Sequence, residues 1–464
     1  MQPINRNKKI LLTATLLATL VGSVFPAYAN DKEEIERLRA LIQELDQRVR
    51  VLDRKQEIAA EEAAAKQKAT PVVTASDKGF GIKSSDGQFE YRLRGLVHLD
   101  YRSFDGEAYP SAVNGFLARR IRPTFEGTVF GKYGFRFTPE FGESGDGTSN
   151  RSRVIDAFLD ARLDPAFQIR FGKQKPVVGL ERLQSGSDIK FIERSHVSNN
   201  ILPNRDLGVT ISGDVLGKKL NYAVGLFNGV VDGGESTTAQ DTNTGKDFTA
   251  RLFATPYVGT DSKLAGLGFG VAVTNGNTTR NSLVSYKTPG QANNFFAYDA
   301  TTVSNGNRNR VSPQAYFYSG PFGLLTEYAV VNQEVIKGTT TNKLKNDAWH
   351  VSASWLITGE DASYKGVKPY SPFKSGIDGG WGAFELVARY QEANIDPNAI
   401  TFKSSTNFAY ALNATSWLVG LNWYLNEDAK FAVNYERTDF SNGTGSTLNG
   451  KQENFLVARY QLAF

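Results

Sequence analysis

The chain has 464 residues, of which 53 are Lys or Arg and 48 are Asp or Glu, so its formal net charge is +5. It contains no cysteine, which excludes disulfides and thiolate sites, and its arginines are too dispersed to form a nucleic-acid-binding tail. Beyond the N-terminal segment, no apolar run approaches the roughly 20 residues that a membrane-spanning helix requires.

The first 29 residues have the pattern of a cleaved export signal. A basic segment, 6–9, precedes the apolar stretch 10–26, and an A-x-A cleavage site ends at Ala29. We therefore expect an exported protein whose mature chain begins at about Asn30.

Residues 30–70 are predicted to form a helix with a heptad seam. The seam consists of Ile35, Leu38, Ile42, Leu45, Val49 and Leu52. Alternate spacings of three and four residues are typical of a coiled coil of two or three helices. The alternative is a single amphipathic helix that lies on another surface. The segment 71–88, which is rich in Gly, Ser and Asp, is predicted to be a linker.

From residue 89 onward, apolar and polar residues alternate with a period of two. In the first run, Tyr91 and Leu93 face one way, whereas Arg92 and Arg94 face the other. A strand with lipid on one side and water on the other requires this alternation. Sixteen runs of this kind are found, at 89–102, 116–130, 133–141, 153–163, 167–175, 207–215, 218–228, 247–256, 265–275, 311–319, 322–332, 347–357, 382–391, 414–425, 428–438 and 453–464.

These runs predict an all-β fold, a 16-stranded antiparallel transmembrane β-barrel over residues 89–464. The strand number is even, as bacterial barrels require, and short turns alternate with long polar loops such as 276–310 and 392–413. The last run ends on Phe464, the aromatic terminus that is typical of bacterial outer-membrane barrels. We therefore expect the protein in the bacterial outer membrane, in contact with its lipid.

A barrel of sixteen strands is wide enough to leave an aqueous channel, so a segment must narrow it. The third long loop, 176–205, combines apolar residues such as Leu183 and Phe191 with many charged ones. The charged group contains Glu181, Arg182, Asp188, Lys190, Glu193, Arg194, His196 and Arg205. We expect the apolar residues to hold the loop against the inner wall and the charged residues to line the aperture.

Several motifs resemble those of a known family, the phosphate-selective porins O and P. They are Phe116-Leu-Ala-Arg-Arg120, Gly179-Leu-Glu-Arg182, Ile192-Glu-Arg194, Leu356-Ile-Thr-Gly-Glu360, Trp381-Gly-Ala-Phe-Glu385 and the terminal Tyr-Gln-Leu-Ala-Phe. The resemblance extends over roughly residues 80–464. It implies a homotrimer of sixteen-stranded channels whose basic constriction favours phosphate or polyphosphate. It implies no enzyme activity and no cofactor.

The candidate constriction combines residues from the resemblance and from the strand pattern. They are Arg94, Arg119, Arg120, Arg122, Lys132, Asp156, Lys190 and Arg194. Arg119 and Arg120 match the family's paired arginines, but on a regular strand they face opposite ways unless a bulge intervenes. Guanidinium groups bind phosphate through paired hydrogen bonds, and ammonium groups bind it as point charges. The alternative is that these cations only pair with carboxylates of the wall.

The predicted function is passive diffusion of small anions, with phosphate or polyphosphate as the expected solutes. One alternative is a weakly selective porin, because the external arginine series of the family is reduced here to Arg280, Arg308 and Arg310. Another is a structural protein whose helix tethers the barrel to peptidoglycan. The chain's three histidines are scattered without metal-ligand spacing, and no catalytic group or metal site is predicted.

Overall fold

The computed structural model describes residues 31–76, 78–143, 152–237, 245–376, 379–404, 409–443 and 445–464. The predicted export signal lies outside these residues. The chain divides into two compact units, 1–70 and 71–464.

In the first unit, the helix α1 (Asp31–Ala69) contains the whole predicted heptad seam. All six seam residues are about half exposed, between 47% for Ile35 and 63% for Ile42. Ion pairs four residues apart, such as Arg48–Glu44 at 2.7 Å, lie on the helix surface. Among the described residues, no helix is both long and apolar enough to cross a membrane.

The second unit begins with a hairpin inside the segment that was predicted to be a linker. Its strands are β1 (Val72–Ser76) and β2 (Gly79–Lys83). β2 pairs with the first residues of β3 (Glu90–Asp105), from Lys83 opposite Glu90 to Phe80 opposite Leu93. Most of residues 72–83, inside the predicted linker, therefore pair as strands and extend the sheet.

In the part of the chain that the structure describes, the sixteen predicted strands form a closed antiparallel barrel in which each strand pairs with its neighbours. Besides β3, these are β4 (Gly115–Val129), β5 (Tyr133–Glu140), β6 (Arg153–Asp164), β7 (Phe167–Gln174), β8 (Asp206–Val215), β9 (Leu220–Phe227), β10 (Asp247–Ala254), β11 (Leu267–Ser282), β14 (Val303–Ser319), β15 (Phe322–Lys337), β16 (Thr340–Leu356), β17 (Ala383–Asn394), β18 (Asn413–Tyr424), β19 (Ala429–Ser441) and β20 (Gln452–Ala463). The barrel closes where β20 pairs with β3. The end at which β20 stops carries most of the short turns and is termed the periplasmic end.

The C-terminal Phe464 completes the closure. Its backbone exchanges two hydrogen bonds with Gly95 of β3, at 2.8 and 3.0 Å. A Cβ on Gly95 would lie 2.4 Å from the Phe464 ring, so only glycine leaves room for this ring. On its other side, the ring makes an edge contact with Phe80 of β2, with 5.7 Å between ring centroids.

Four strands extend further toward the external end than the alternation predicts. β11 continues to Ser282 and β14 begins at Val303, so the predicted loop 276–310 is reduced to 283–302. β15 and β16 are similarly extended and leave only Gly338 and Thr339 between them. Backbone pairing continues into segments rich in Asn, Gly and Thr, because beyond the lipid neither face of a strand needs to be apolar.

The external loops were predicted to be polar, but several of them share an apolar core. Loop 283–302 forms the hairpin β12 (Tyr286–Lys287) with β13 (Asn294–Phe296). Loop 395–412 contains a 3₁₀ turn, Pro397–Phe402. Buried residues of these loops pack with the third loop and with the loop before β20; they include Val197, Ile201, Leu202, Tyr286, Phe295, Phe296, Phe402 and Leu448. These contacts hold the external loops together above the barrel.

One connection at the periplasmic end is long. The segment 357–382 between β16 and β17 folds toward the third loop, where the Tyr364 hydroxyl donates to the Leu180 carbonyl at 2.5 Å. The Gln184 amide donates to the Tyr364 carbonyl at 2.8 Å. Burial raises the pKa of Tyr364 well above its ordinary value, so the phenol stays neutral and keeps its donor. The third loop is therefore supported from the periplasmic end as well.

Candidate functional site

The third loop (Pro176–Arg205) lies inside the barrel against the wall formed by β15 to β20. Polar side chains of the wall bind its backbone: Asn434 accepts from the Ile192 amide and Gln391 accepts from the His196 amide, both at 2.8 Å. Lys430 donates to the Ile189 carbonyl at 3.0 Å. The inward folding that the sequence predicts is therefore observed, although polar wall residues provide much of the anchorage.

A buried charge network fixes the middle of this loop. The carboxylate of Glu193 accepts from Arg119 of β4 at 2.8 Å and from Arg102 of β3 at 2.5 Å. Arg459 of β20 donates to Asp100 at 2.6 Å and to the Ile192 carbonyl at 2.7 Å. Such a network is costly to bury but specifies one arrangement when every member is satisfied.

A β-bulge decides where the paired arginines point. His98 pairs with Arg120, whereas the next residue of β3, Leu99, pairs with Ala118, so Arg119 is the extra residue of β4. Arg119 therefore reaches Glu193 while Arg120 also points inward and binds the His98 ring nitrogen at 2.9 Å. Both arginines lie inside the barrel, which a regular strand does not allow.

The two basic residues predicted from the third loop serve the loop itself. The Lys190 ammonium pairs with Glu385 of β17. The Arg194 guanidinium donates to the carbonyls of Gln184 at 3.0 Å and Glu181 at 3.4 Å. These contacts turn both cations toward protein groups, away from the open part of the lumen.

The open space lies on the opposite side of the third loop, against the wall formed by β3 to β8. A cavity of about 1060 Å³, part of it open to solvent, separates this wall from the loop segment 183–187. Its described lining includes the cations Arg94, Arg122, Arg136, Arg170, Lys175 and Arg205, and the single carboxylate Asp156. We call this space the basic cavity.

Carboxylates behind the lining compensate part of this charge. Arg122 pairs with Glu140, Arg136 with Glu126 and Arg170 with Asp160. The fourth pair joins Arg205 to Asp156 at 2.9 Å. The six cations of the basic cavity thus face four carboxylates, which leaves a local excess of positive charge.

Among the described residues, the hydrogen-bond partners of Lys175 are backbone carbonyls. Its ammonium donates to the carbonyls of Gln184 at 2.8 Å and Leu183 at 3.5 Å. Within the described part of the chain, no carboxylate lies within ion-pair distance of it. Arg94, whose side chain is 44% exposed, has only a long contact with Glu126, at 3.8 Å.

A second cavity continues toward the periplasmic end. It shares Arg136, Phe158 and Arg170 with the basic cavity and encloses about 580 Å³. The Arg170 guanidinium lies 4.1 Å from the centre of the Phe158 ring, which orients it as a planar platform. Here Glu90, Glu126 and Asp160 balance three of the four arginines of the lining.

The eight predicted site residues lie in different places in the structure. Arg94, Arg122 and Asp156 line the basic cavity. Arg120 is 3% exposed and lies beside it, near Gly186, whose Cβ would be 3.8 Å from the Arg120 side chain. Arg119 binds Glu193 of the third loop. Lys190 and Arg194 belong to this loop and bind Glu385 of the wall and the Gln184 carbonyl, respectively. Lys132 is exposed in the short turn between β4 and β5, outside the lining of the basic cavity.

Three cations of the basic cavity were missed: Arg136, Arg170 and Lys175. Arg136 alternates with Phe135 and Phe137, and Arg170 alternates with apolar neighbours in the same way. The period-two pattern alone assigns both to the inner face. Lys175 follows the end of β7, where the alternation of apolar and polar residues no longer indicates which way a side chain points.

The cations of the basic cavity can attract an anion and replace part of its hydration shell with protein donors. Guanidinium and ammonium donors can replace the water of an oxyanion, and the nearby carboxylates keep the attraction weak enough for release. A closed sixteen-stranded barrel with an inward third loop and a charged lumen is the architecture of an outer-membrane porin. The class is a channel of the bacterial outer membrane and not an enzyme.

Comparison with known proteins agrees with this class. The family model "Phosphate-selective porin O and P" matches residues 89–464, and the chain belongs to that family. The chain is 21% identical to porin O of Pseudomonas aeruginosa over 425 residues, which are 85% of this chain and 92% of that protein.

Solved structures share the fold. The outer-membrane channel DcaP of Acinetobacter baumannii has a TM-score of 0.53 and 12% identity, with 83% of this chain and 99% of that chain covered. An anion-selective porin from Comamonas acidovorans has a TM-score of 0.50 and 11% identity, with coverage of 81% and 100%. At these identities the likeness concerns the fold alone.

Proposed function

We propose that this porin conducts small anions selectively and that phosphate, as the free ion or within polyphosphate, is the preferred class of solute. The observation that carries the proposal is the lining of the basic cavity, with six cations and one carboxylate among its described residues. Membership of the phosphate-selective family supports the same choice of anion.

The geometry favours an oxyanion over chloride. Arg94, Arg122 and Arg136 come from three adjacent strands and present planar donors, while Lys175 offers an ammonium group from the start of the third loop. A tetrahedral oxyanion can accept hydrogen bonds from several of these donors at once, whereas chloride gains only the point-charge attraction. Because Glu140, Glu126, Asp160 and Asp156 occupy part of the donors, binding stays reversible.

A weakly selective porin is the second candidate, and the external arginines favour it. Arg308 pairs with Asp247 at 2.8 Å and Arg310 pairs with Asp232 at 2.7 Å. Both arginines are at most 2% exposed, so neither presents a free donor to an entering anion. Neither of these two external arginines then adds to the selection of anions by the basic cavity.

The test is a phosphate titration of the chloride current through single channels in planar bilayers. We expect phosphate to block the wild-type current and Lys175→Gln to weaken the block by about tenfold or more, because a hydrogen bond to a charged group contributes roughly 1.5–3 kcal/mol. Arg94→Gln, which leaves the contacts of the third loop intact, should weaken it in the same direction. Lys132→Gln is the matched control and should bind phosphate as the wild type does. A wild-type current indifferent to phosphate would support the weakly selective porin.

A further inference from the structure

We propose that Glu181, Glu327 and His350 form a site for a divalent transition-metal ion of the Zn²⁺ type, which cross-links the third loop to the barrel wall. Glu181 belongs to the short helix α2 (Leu180–Leu183) of the third loop, Glu327 to β15 and His350 to β16. One potential ligand atom from each residue lies within 4.8 Å of the other two, and all three residues are buried.

The strand register brings the two wall residues together. Glu327 and His350 are directly opposite each other in the antiparallel pair of β15 and β16, and both point inward. The His350 Nε2 atom lies 3.6 Å from the nearer Glu327 oxygen. Tetrahedral zinc with bonds of about 2.0–2.1 Å has ligand–ligand separations of about 3.4 Å, so this pair already has the spacing of two zinc ligands.

His350 gives an independent indication of a ligand at this cluster. The side chain is fully buried, and its Nε2 atom has no hydrogen-bond partner among the described residues. The Nδ1 atom lies 3.0 Å from the Ser352 hydroxyl oxygen. When Nδ1 donates this hydrogen bond, the Nε2 lone pair faces two carboxylates, and such an arrangement of electron-rich groups requires a cation between them.

The carboxylates are oriented as metal ligands usually are. The two oxygens of Glu327 accept from the Leu180 and Glu181 amides at 2.5 and 2.8 Å. One Glu181 oxygen accepts from the amide and hydroxyl of Ser195, at 2.9 and 2.6 Å. Each carboxylate keeps further lone pairs for an ion. A small cavity that Glu181, Gln184 and Ser352 line adjoins the cluster and has room for a water as a further ligand.

The local charge also leaves room for a cation. Arg389 lies between Glu181 and Glu436, at 3.4 and 3.7 Å, and Arg194 binds the Glu181 carbonyl. Neither Arg389 nor Arg194 bonds to Glu327, whose ion-pair partner among the described residues is His350. An imidazole ligand selects Zn²⁺, Cu²⁺ or Ni²⁺ over Mg²⁺ and Ca²⁺, which prefer oxygen donors.

The test measures zinc uptake by the full-length porin, expressed without a polyhistidine tag and stripped with a chelator in detergent. After equilibration with Zn²⁺ and desalting, we expect about one zinc ion per folded chain, with an X-ray absorption spectrum that shows one imidazole and oxygen ligands. His350→Gln should abolish uptake, and Ser352→Ala should weaken it about 10–100-fold because the serine only orients the imidazole. His98→Gln, which removes another buried histidine of the lumen, should retain the zinc.

A wild-type protein that takes up no zinc would overturn the proposal, and so would uptake that persists in His350→Gln. If a proton on His350 bonds to the same carboxylates instead, the wild type retains no zinc, and this is the outcome that contradicts the proposal. Because the stoichiometry and the spectrum are measured on the wild type, the test stands even where a variant does not fold.

Discussion

Arg119 donates from Nε to the Glu193 carboxylate across 2.8 Å and so joins the bulge of β4 to the third loop. This one contact explains two features of the lumen. It uses the residue that the bulge adds to the strand, and it joins the third loop to β4, a strand of the wall that faces the basic cavity. Buried ion pairs therefore fix the middle of the third loop inside the barrel.

Glu193→Gln should destabilise the barrel interior. The variant leaves Arg102, Arg119 and Arg459 beside a single remaining carboxylate, Asp100, in a region where each of these side chains is at most 12% exposed. Breaking a buried pair costs about 3–5 kcal/mol, because the partner charges stay buried without compensation. The urea midpoint of the folded porin in detergent micelles measures this loss.

Asp439→Asn is the control for that variant. Asp439 pairs with Arg437 at 3.0 Å, but both side chains are 40% exposed or more, and an exposed pair contributes about 0–1 kcal/mol. Equal midpoints for Glu193→Gln and Asp439→Asn would show that the network does not hold the loop.

Gly95→Val should impair closure of the barrel. The new side chain would occupy the position of the Phe464 ring, from which a Cβ is separated by only 2.4 Å. Overpacking of this kind costs about 1–3 kcal/mol and also displaces the last backbone pair between β3 and the C-terminus. The heat-dependent shift of the folded band in electrophoresis reports the fraction of closed barrels.

The same substitution at Gly115 provides the comparison. No described atom lies within 4 Å of a Cβ at that position, so Gly115→Val should fold as the wild type does. If both variants folded equally well, the contact between Gly95 and Phe464 would have no part in closure.

Leu45→Asp in α1 should weaken self-association. The residue is 52% exposed in the single chain and lies in the middle of the heptad seam, where copies of the helix would bury it. We expect a homotrimer, and native mass spectrometry of the full-length porin should show that the variant dissociates at lower temperature. Gln47→Asp introduces the same charge outside the seam and should leave the oligomer intact.

An oligomer unaffected by Leu45→Asp would favour the alternative that α1 lies on another surface, such as peptidoglycan. In that case, deletion of residues 31–70 should weaken the cell envelope while the conductance remains unchanged. The two experiments thus distinguish a coiled-coil role of α1 from a tethering role.

The strands could be predicted because lipid imposes a period of two on their outer face. Where that constraint ends, the prediction fails: the segments 276–282 and 303–310 are polar on both faces, yet they pair as strands. The hairpin around Tyr286 was missed for a related reason. Its few aromatic residues are buried by other loops that are distant in sequence.

The site was predicted only in part, because ion pairing depends on contacts that the local sequence does not contain. Lys190 has the composition of an aperture residue, but its partner Glu385 is 195 residues away. Conversely, Arg119 reaches the lumen only through a bulge, which nothing in the alternation of β4 signals. An excess of positive charge on the inner face of the barrel could be predicted. The place in the lumen where this excess lies could not.

The zero-current potential of the wild-type channel across a KCl gradient tests the anion-selective porin most directly. The account predicts a potential whose sign shows preferential passage of chloride, with a further shift when phosphate replaces chloride on one side. A potential of zero, or one whose sign shows preferential passage of potassium, would contradict the claim that the basic cavity selects the solute.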